Sequence, residues 1–315
     1  MEFQDILNAQ ENLKSVLFST PLITVPDIQE YALYIKPENL QRTGSFKIRG
    51  AYNKICLLDE EEKARGVITS SAGNHAQGVA FAAREKNIHA VVCMPKSTPE
   101  VKVEATRRYG AEIVLVDGVY DDAYQKALEL QAEYGYTFVH PFNDIDVIAG
   151  QGTIGVEILR DNPEIDTVIV PVGGGGLISG IAYAVKSIRP DAKVYGVQAL
   201  GAPGMYASLA AGYVKRLKSV NTMADGIAVK QVGNLTLDFV SRYVDDIITV
   251  KEREILEGIK ILFSHEKLVA EGAGAASYAA LLAGYLPLAG RKVAVVLSGG
   301  NIDLSLFSKL MTEEE

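Results

Sequence analysis

Cysteine is nearly absent from this 315-residue chain: only Cys56 and Cys93 occur, and they lack the spacing of a metal site. One such pair in a chain this long is no disulfide framework, and both are expected to be small buried hydrophobes. Long apolar runs are missing too. The longest weakly polar stretch, Ala273 to Ala289, is interrupted by Gly274, Gly284 and Pro287 and falls short of the roughly 20 apolar residues a membrane-spanning helix needs. No transmembrane segment and no membrane partner are expected. Basic clusters are scarce as well. The formal net charge is −8 and the one cluster, Lys215-Arg216-Leu217-Lys218, is short, so nucleic acid is not an expected partner. The start, Met1-Glu2-Phe3-Gln4-Asp5, is acidic and has neither a basic leader nor an apolar signal core, which predicts no export signal and a cytoplasmic location.

What is present reads as a globular α/β protein. Hydrophobic residues make up 48% and charged ones 22%, a balance that excludes disorder. The length suits two ordinary domains or one large one. From about Tyr31 onward, short β-rich runs alternate with helical patterns, the signature of βαβ units and a parallel sheet. One block predicts strand, helix, strand, helix, strand and helix at 66–70, 74–86, 88–94, 99–109, 112–116 and 121–134. These are three repeats of a doubly wound unit. A second block predicts a helix near Gln151, a strand at 167–172, a helix at 177–188 and a strand at 193–198. After a less regular stretch come a strand at 246–250, helices from Lys251 and after Glu271, and a strand at 292–297. Turn chemistry at Pro141-Phe142-Asn143-Asp144 marks the junction between the blocks. Only a short helix is expected after Ser298-Gly299-Gly300-Asn301, with no regulatory domain appended.

The chemistry concentrates at four places. Lys47 lies between Phe46 and Ile48 inside the glycine-bounded run Gly44 to Gly50; alone it reads either as an ordinary helix lysine with a packed stem and a solvated head or as an amine whose desolvation disfavours the ammonium and makes it a nucleophile near neutral pH. Gly173, Gly174, Gly175 and Gly176 follow an apolar strand and precede a helical pattern. One or two glycines suffice for a tight turn, whereas four expose backbone N–H groups at a helix N-terminus, which suits a phosphate. Leu177 and Ile178 stand where a Walker A loop needs Lys and Ser or Thr, which disfavours triphosphate chemistry. The next strand ends in Gln198 rather than the acidic residue of a dinucleotide site. Ser70-Ser71-Ala72-Gly73-Asn74-His75 also joins strand to helix, either as a second anion cradle or as a helix cap made by Ser71 or Asn74. Ser298 closes the last strand at the edge where α/β proteins bind ligands.

In this order, Ser-Phe-Lys-Ile-Arg-Gly, Ser-Ala-Gly-Asn-His, the four-glycine turn and Ser-Gly-Gly-Asn resemble the fold-type II pyridoxal-phosphate enzymes over nearly the whole chain. Ala224 to Lys230 and Glu271-Gly272-Ala273-Gly274-Ala275 strengthen the likeness. The chain is most similar to the short catabolic threonine dehydratases (threonine ammonia-lyases), with the serine racemases as near relatives. The resemblance implies a tryptophan synthase β-like architecture of two doubly wound α/β domains with the cofactor between them. The large domain would be residues 1–50 and 145–315, and residues 51–144 a small inserted one. It further implies pyridoxal 5'-phosphate carried by Lys47, its ring supported by Phe46, its phenolic oxygen bonded by Asn74 and its pyridine nitrogen met by Ser298. Gly173 to Gly176 with Leu177 would hold the phosphate, and Glu271 would lie near the ring. Ser71, Ala72, Gly73, Asn74 and His75 would grip the substrate carboxylate. Arg49 is expected to be a structural ion-pair residue.

The resemblance implies β-elimination from L-threonine, with L-serine as a second substrate. Serine racemases carry a second serine where Ala72 stands, and a methyl group cannot transfer a proton. The two carboxylates of their cation site align with Gln198 and Gly204, so no metal is expected. A serine racemase or a hydroxyaspartate dehydratase is the alternative within the family. A nicotinamide-dependent oxidoreductase or a non-catalytic amino-acid sensor is the alternative outside it. A homodimer or homotetramer is expected, with an adenine nucleotide as an expected effector.

Overall fold

The computed structural model describes residues 1–26 and 28–312, so Asp27 and the last three residues of the expected 145–315 span lie outside it. Helix α1 (Phe3–Leu13) precedes strands β1 (Ile23–Val25) and β2 (Ala32–Pro37), followed by helices α2 (Lys47–Cys56) and α3 (Glu60–Arg65). The next units are β3 (Val67–Ser70), α4 (Asn74–Glu85), β4 (Ala90–Pro95), α5 (Glu100–Arg107), β5 (Glu112–Val116), α6 (Tyr120–Tyr134) and β6 (Thr137–Phe138). Then come α7 (Ile145–Asp161), β7 (Thr167–Pro171), α8 (Gly176–Ile188), β8 (Lys193–Ala199), α9 (Gly204–Ala211), α10 (Asn234–Tyr243) and β9 (Asp246–Val250). Helices α11 (Glu252–Ser264) and α12 (Gly272–Leu282), strand β10 (Lys292–Leu297) and helix α13 (Leu304–Thr312) complete the order.

Two sheets result. The larger has the order β1-β2-β10-β7-β8-β9 and the smaller β5-β4-β3-β6. Every pairing is parallel except β1 with β2. Parallel strands covered by helices on both faces must be apolar on both, which is why β7 and β10 read as continuous hydrophobic runs. Their side chains alternate between two cores. Val168, Val170, Ala294 and Val296 pack with Ile178 and Ile181 of α8. Ile169, Val293, Val295 and Leu297 pack with Ala275, Ala276 and Ala279 of α12. The smaller sheet divides likewise, Val92 and Met94 toward α4 and Val91 and Cys93 toward α6.

A buried charge cluster ties α2 to its surroundings. The Arg49 guanidinium, 0% exposed, pairs with Glu38 at 2.7 Å and with Glu157 of α7 at 2.7 Å. Lys36 pairs with the same Glu157 at 2.6 Å and donates to the Thr20 carbonyl at 2.6 Å. Burial alone would lower the Arg49 pKa, but the two carboxylates raise it. Removing one member strands charges that water cannot reach. Arg49→Ala is therefore expected to cost about 3–5 kcal/mol of stability, read as a lowered urea midpoint at pH 7.

Candidate active site

Four loops leave the carboxyl ends of two adjacent strand pairs, β3 beside β6 and β7 beside β10. In each sheet the chain winds away on one side and returns on the other, so both pairs sit at topological switch points, where α/β sheets open a crevice. These loops and the start of α2 line a cleft of about 840 Å³. All the side chains and glycines expected to bind cofactor or substrate, from Phe46 to Ser298, border this single cleft.

Lys47 is the first residue of α2, and the segment before it is clipped to the end of β10. Ser45 bridges to Gly299, the Phe46 N–H donates to the Ser298 carbonyl at 3.1 Å, and the Gly300 N–H donates to the Gly44 carbonyl at 2.9 Å. Gly44 is required there: its φ is +70°, and a Cβ would come within 2.3 Å of Asn301 Oδ1. Lys47 Nζ donates to the Pro141 carbonyl at 2.9 Å and lies 5.2 Å from the Phe46 ring centroid. Burial pushes its pKa down to about 8, opposed by the Glu271 carboxylate.

Asn74 links the opposite walls. Its Nδ2 donates to Glu271 Oε1 at 2.6 Å, while its Oδ1 accepts from Asn301 Nδ2 at 2.8 Å. Burial pushes the Glu271 carboxyl up to about 8, aided by Asp225 and opposed by Asn74. Glu271 is thus a much weaker acid than an ordinary glutamate. The Ser298 hydroxyl is buried and, among the described residues, has only a long contact, 3.4 Å, to the Ala273 carbonyl.

Two helix N-termini point into the cleft. Among the described residues, the N–H groups of Gly173, Gly174, Gly175 and Gly176 take no hydrogen-bond acceptor, which leaves an anion cradle at the start of α8. A Cβ on Gly174 would lie 2.3 Å from the Phe142 ring, and Gly175 has φ +99°. At α4 the cap residue is Gly73, not Ser71 or Asn74, and no side chain caps the helix. Ser71 Oγ instead accepts from the Gly73 N–H at 3.3 Å. The N–H groups of Asn74, His75 and Ala76 remain open. His75 Nε2 bonds the Val139 carbonyl at 2.9 Å, its Nδ1 has no partner among the described residues, and burial lowers its pKa to about 3. It is a neutral packed ring.

Other site residues carried no legible signal. The segment 140–143, read from sequence as a domain junction, forms one wall of the cleft. Thr236 Oγ1 holds the glycine turn from behind by donating to the Gly174 carbonyl at 2.6 Å. Lys102 of α5 pairs with Asp225, and Arg216 pairs with Asp121 at 2.6 Å, so charges join the two sheet layers beside the cleft. The basic cluster's Arg216 is thus engaged by a carboxylate. Gln198 has its amide committed, Nε2 to the Val172 carbonyl at 3.2 Å and Oε1 to the Tyr206 N–H at 2.9 Å.

A half-buried amine of lowered pKa, a glycine cradle with open N–H groups and a weakly engaged hydroxyl fit pyridoxal phosphate. If it binds here, the amine would take its aldehyde carbon, the cradle its phosphate and Ser298 its pyridine nitrogen. The chain is a fold-type II member of the pyridoxal-phosphate dependent enzyme family, whose model matches residues 14–299. It is 50% identical to an L-threonine ammonia-lyase of Thermotoga maritima over 98% of this chain and 78% of that protein. It is 45% identical to the catabolic L-threonine dehydratase TdcB of Escherichia coli K12, covering 97% of this chain and 94% of TdcB. The processed threonine deaminase isoform 2 of Solanum lycopersicum superposes with a TM-score of 0.92 at 37% identity, over 98% of this chain and 88% of that one. Maize serine racemase gives a TM-score of 0.92 at 36% identity, over 98% and 96%.

Proposed function

We propose that this protein is a threonine ammonia-lyase, converting L-threonine to 2-oxobutanoate and ammonia and accepting L-serine, which gives pyruvate. The observation that carries the reading is the Lys47 amine, half-buried in the same cleft as an open anion cradle and with its pKa lowered to about 8. When bound, pyridoxal phosphate supplies the electron sink that makes a Cα–H bond acidic. The loop of Ser71, Ala72 and Gly73, with the open N–H groups of Asn74 and His75, receives the substrate carboxylate in the cleft that Lys47 also lines. Lys47 Nζ, whose lowered pKa gives it a larger neutral fraction than an ordinary lysine has, removes the Cα proton as general base. Glu271, made a weaker acid by burial and hydrogen-bonded to Asn74, carries less negative charge into the site than an ordinary glutamate would. Ser298 offers the pyridine nitrogen a hydroxyl in place of a carboxylate, which favours elimination of the β-hydroxyl over transamination.

Ala72 separates lyase from racemase. Racemisation needs a proton carrier on each face of Cα, and the Ala72 methyl, which lines the cleft with Lys47, cannot serve as the second one. Purified protein supplied with pyridoxal phosphate is expected to release 2-oxobutanoate from L-threonine and pyruvate from L-serine. Chiral chromatography showing D-serine formed faster than pyruvate would overturn the assignment. We further read residues 51–144 as a smaller unit inserted into 1–50 and 145–315, supported by the four-stranded sheet whose strands all lie within it. By the same reading the enzyme works in the cytoplasm as a homodimer or homotetramer. It serves amino-acid catabolism or the supply of 2-oxobutanoate for isoleucine biosynthesis, under an adenine-nucleotide effector.

A further inference from the structure

The cleft wall at 140–143 holds a ring that the chemistry above does not use. His140 follows the two-residue strand β6 and lines the cleft. Its Nδ1 accepts two backbone N–H groups, from Phe142 at 3.2 Å and Asn143 at 2.8 Å. An acceptor nitrogen carries no proton, so the ring is the neutral tautomer with its proton on Nε2. Burial lowers its pKa to about 4, with Lys47 adding to the effect and Asp144 opposing it, so it remains so at working pH.

These two bonds close a tight turn around Pro141, the residue whose carbonyl receives the Lys47 amine. Proline has no N–H of its own to anchor the turn, so its carbonyl takes its direction from the flanking peptides. The same turn is fixed outward. The Phe142 ring meets His140 edge-on at 4.6 Å and closes the back of the glycine cradle, and Asn143 Oδ1 accepts the Leu235 N–H at 3.1 Å.

We propose that His140 is a positioning residue for Lys47: by gathering the Phe142 and Asn143 N–H groups on Nδ1, it aims the Pro141 carbonyl at Nζ and holds the amine in place over the cleft. The proposal rests on reading Lys47 as the reactive amine. It is specific about the atom responsible. Asparagine presents Oδ1 where histidine presents Nδ1 and can accept the same two N–H groups, whereas phenylalanine keeps the ring against Phe142 and accepts nothing.

The test compares His140→Phe, His140→Ala and His140→Asn in the full-length chain. One readout is independent of turnover: the pH midpoint of Lys47 acetylation by trace acetic anhydride with the cofactor withheld, followed by peptide mass spectrometry. The second is kcat and KM for L-threonine. Losing a carbonyl acceptor destabilises the ammonium, so the Phe and Ala variants are expected to lower the Lys47 midpoint by about one pH unit. They should also lower kcat by about tenfold with KM within about twofold, as an amine held out of place would. The Asn variant is expected to match wild type in both. An unmoved Lys47 midpoint in the Phe and Ala variants, or an Asn variant as impaired as they are, would overturn the positioning role. Turnover by Lys47→Ala would instead sink the reading of Lys47 as the reactive amine, whatever the acetylation midpoints.

Discussion

Lys47→Ala is expected to abolish release of 2-oxobutanoate from L-threonine, by at least about ten-thousandfold, while the protein still folds. The loss is large because one nitrogen does two things, holding the cofactor covalently and removing the Cα proton. Folding is expected to survive because alanine is the best helix former at this first position of α2, and because the substitution removes a half-buried amine whose charged form desolvation already disfavours. The Pro141 carbonyl loses its donor, a penalty of about 1–3 kcal/mol at most. Lys47→Arg is not expected to rescue turnover, since a guanidinium stays charged and cannot act as a base near neutral pH. A coupled assay for 2-oxobutanoate, run beside a thermal melt, checks both halves. Turnover above about a hundredth of wild type would remove Lys47 from its role as base.

Gly175→Val carries the second large effect. Gly175 has φ +99°, and a Cβ would lie 2.6 Å from Met205 and 2.8 Å from Thr236, the residue that holds the turn through Gly174. A β-branched side chain is poorly tolerated at such a dihedral, so the turn must reopen and its N–H groups lose their common focus. Each N–H bond to a charged group is worth about 1.5–3 kcal/mol. Losing two should weaken pyridoxal phosphate binding by at least about a hundredfold. Titration of cofactor absorbance against protein gives the affinity. Wild-type affinity in this variant would mean that the phosphate sits elsewhere.

Much of this was legible in the sequence because it is local. The strands β7 and β10 announce themselves as unbroken apolar runs, buried on both faces, and the glycine turn can be read from four consecutive residues. Lys47 was legible from its neighbours and from the motifs that accompany it. What stayed hidden depends on residues far apart in the chain. Asn74 and Glu271 are 197 positions apart yet share a 2.6 Å hydrogen bond, and no spacing rule connects them. The antiparallel pairing of β1 with β2 involves a three-residue strand, and β6 has only two residues, too few for an alternation pattern. The turn at 141–144 has the local chemistry of a linker, which is how it reads in isolation. Its role as a cleft wall comes from the bonds of His140 and Lys47 to it. The helix cap at α4 was open between two readings, and backbone geometry decided for Gly73, leaving the Asn74 and His75 N–H groups to face the cleft.

The most direct test is borohydride reduction of the protein saturated with pyridoxal phosphate, followed by proteolysis and mass spectrometry. A single pyridoxyl group on Lys47, in the peptide that spans Phe46 and Ile48, is the expected result. A pyridoxyl group on another lysine, or a protein that carries none after reduction, would contradict the placement of the cofactor on this amine.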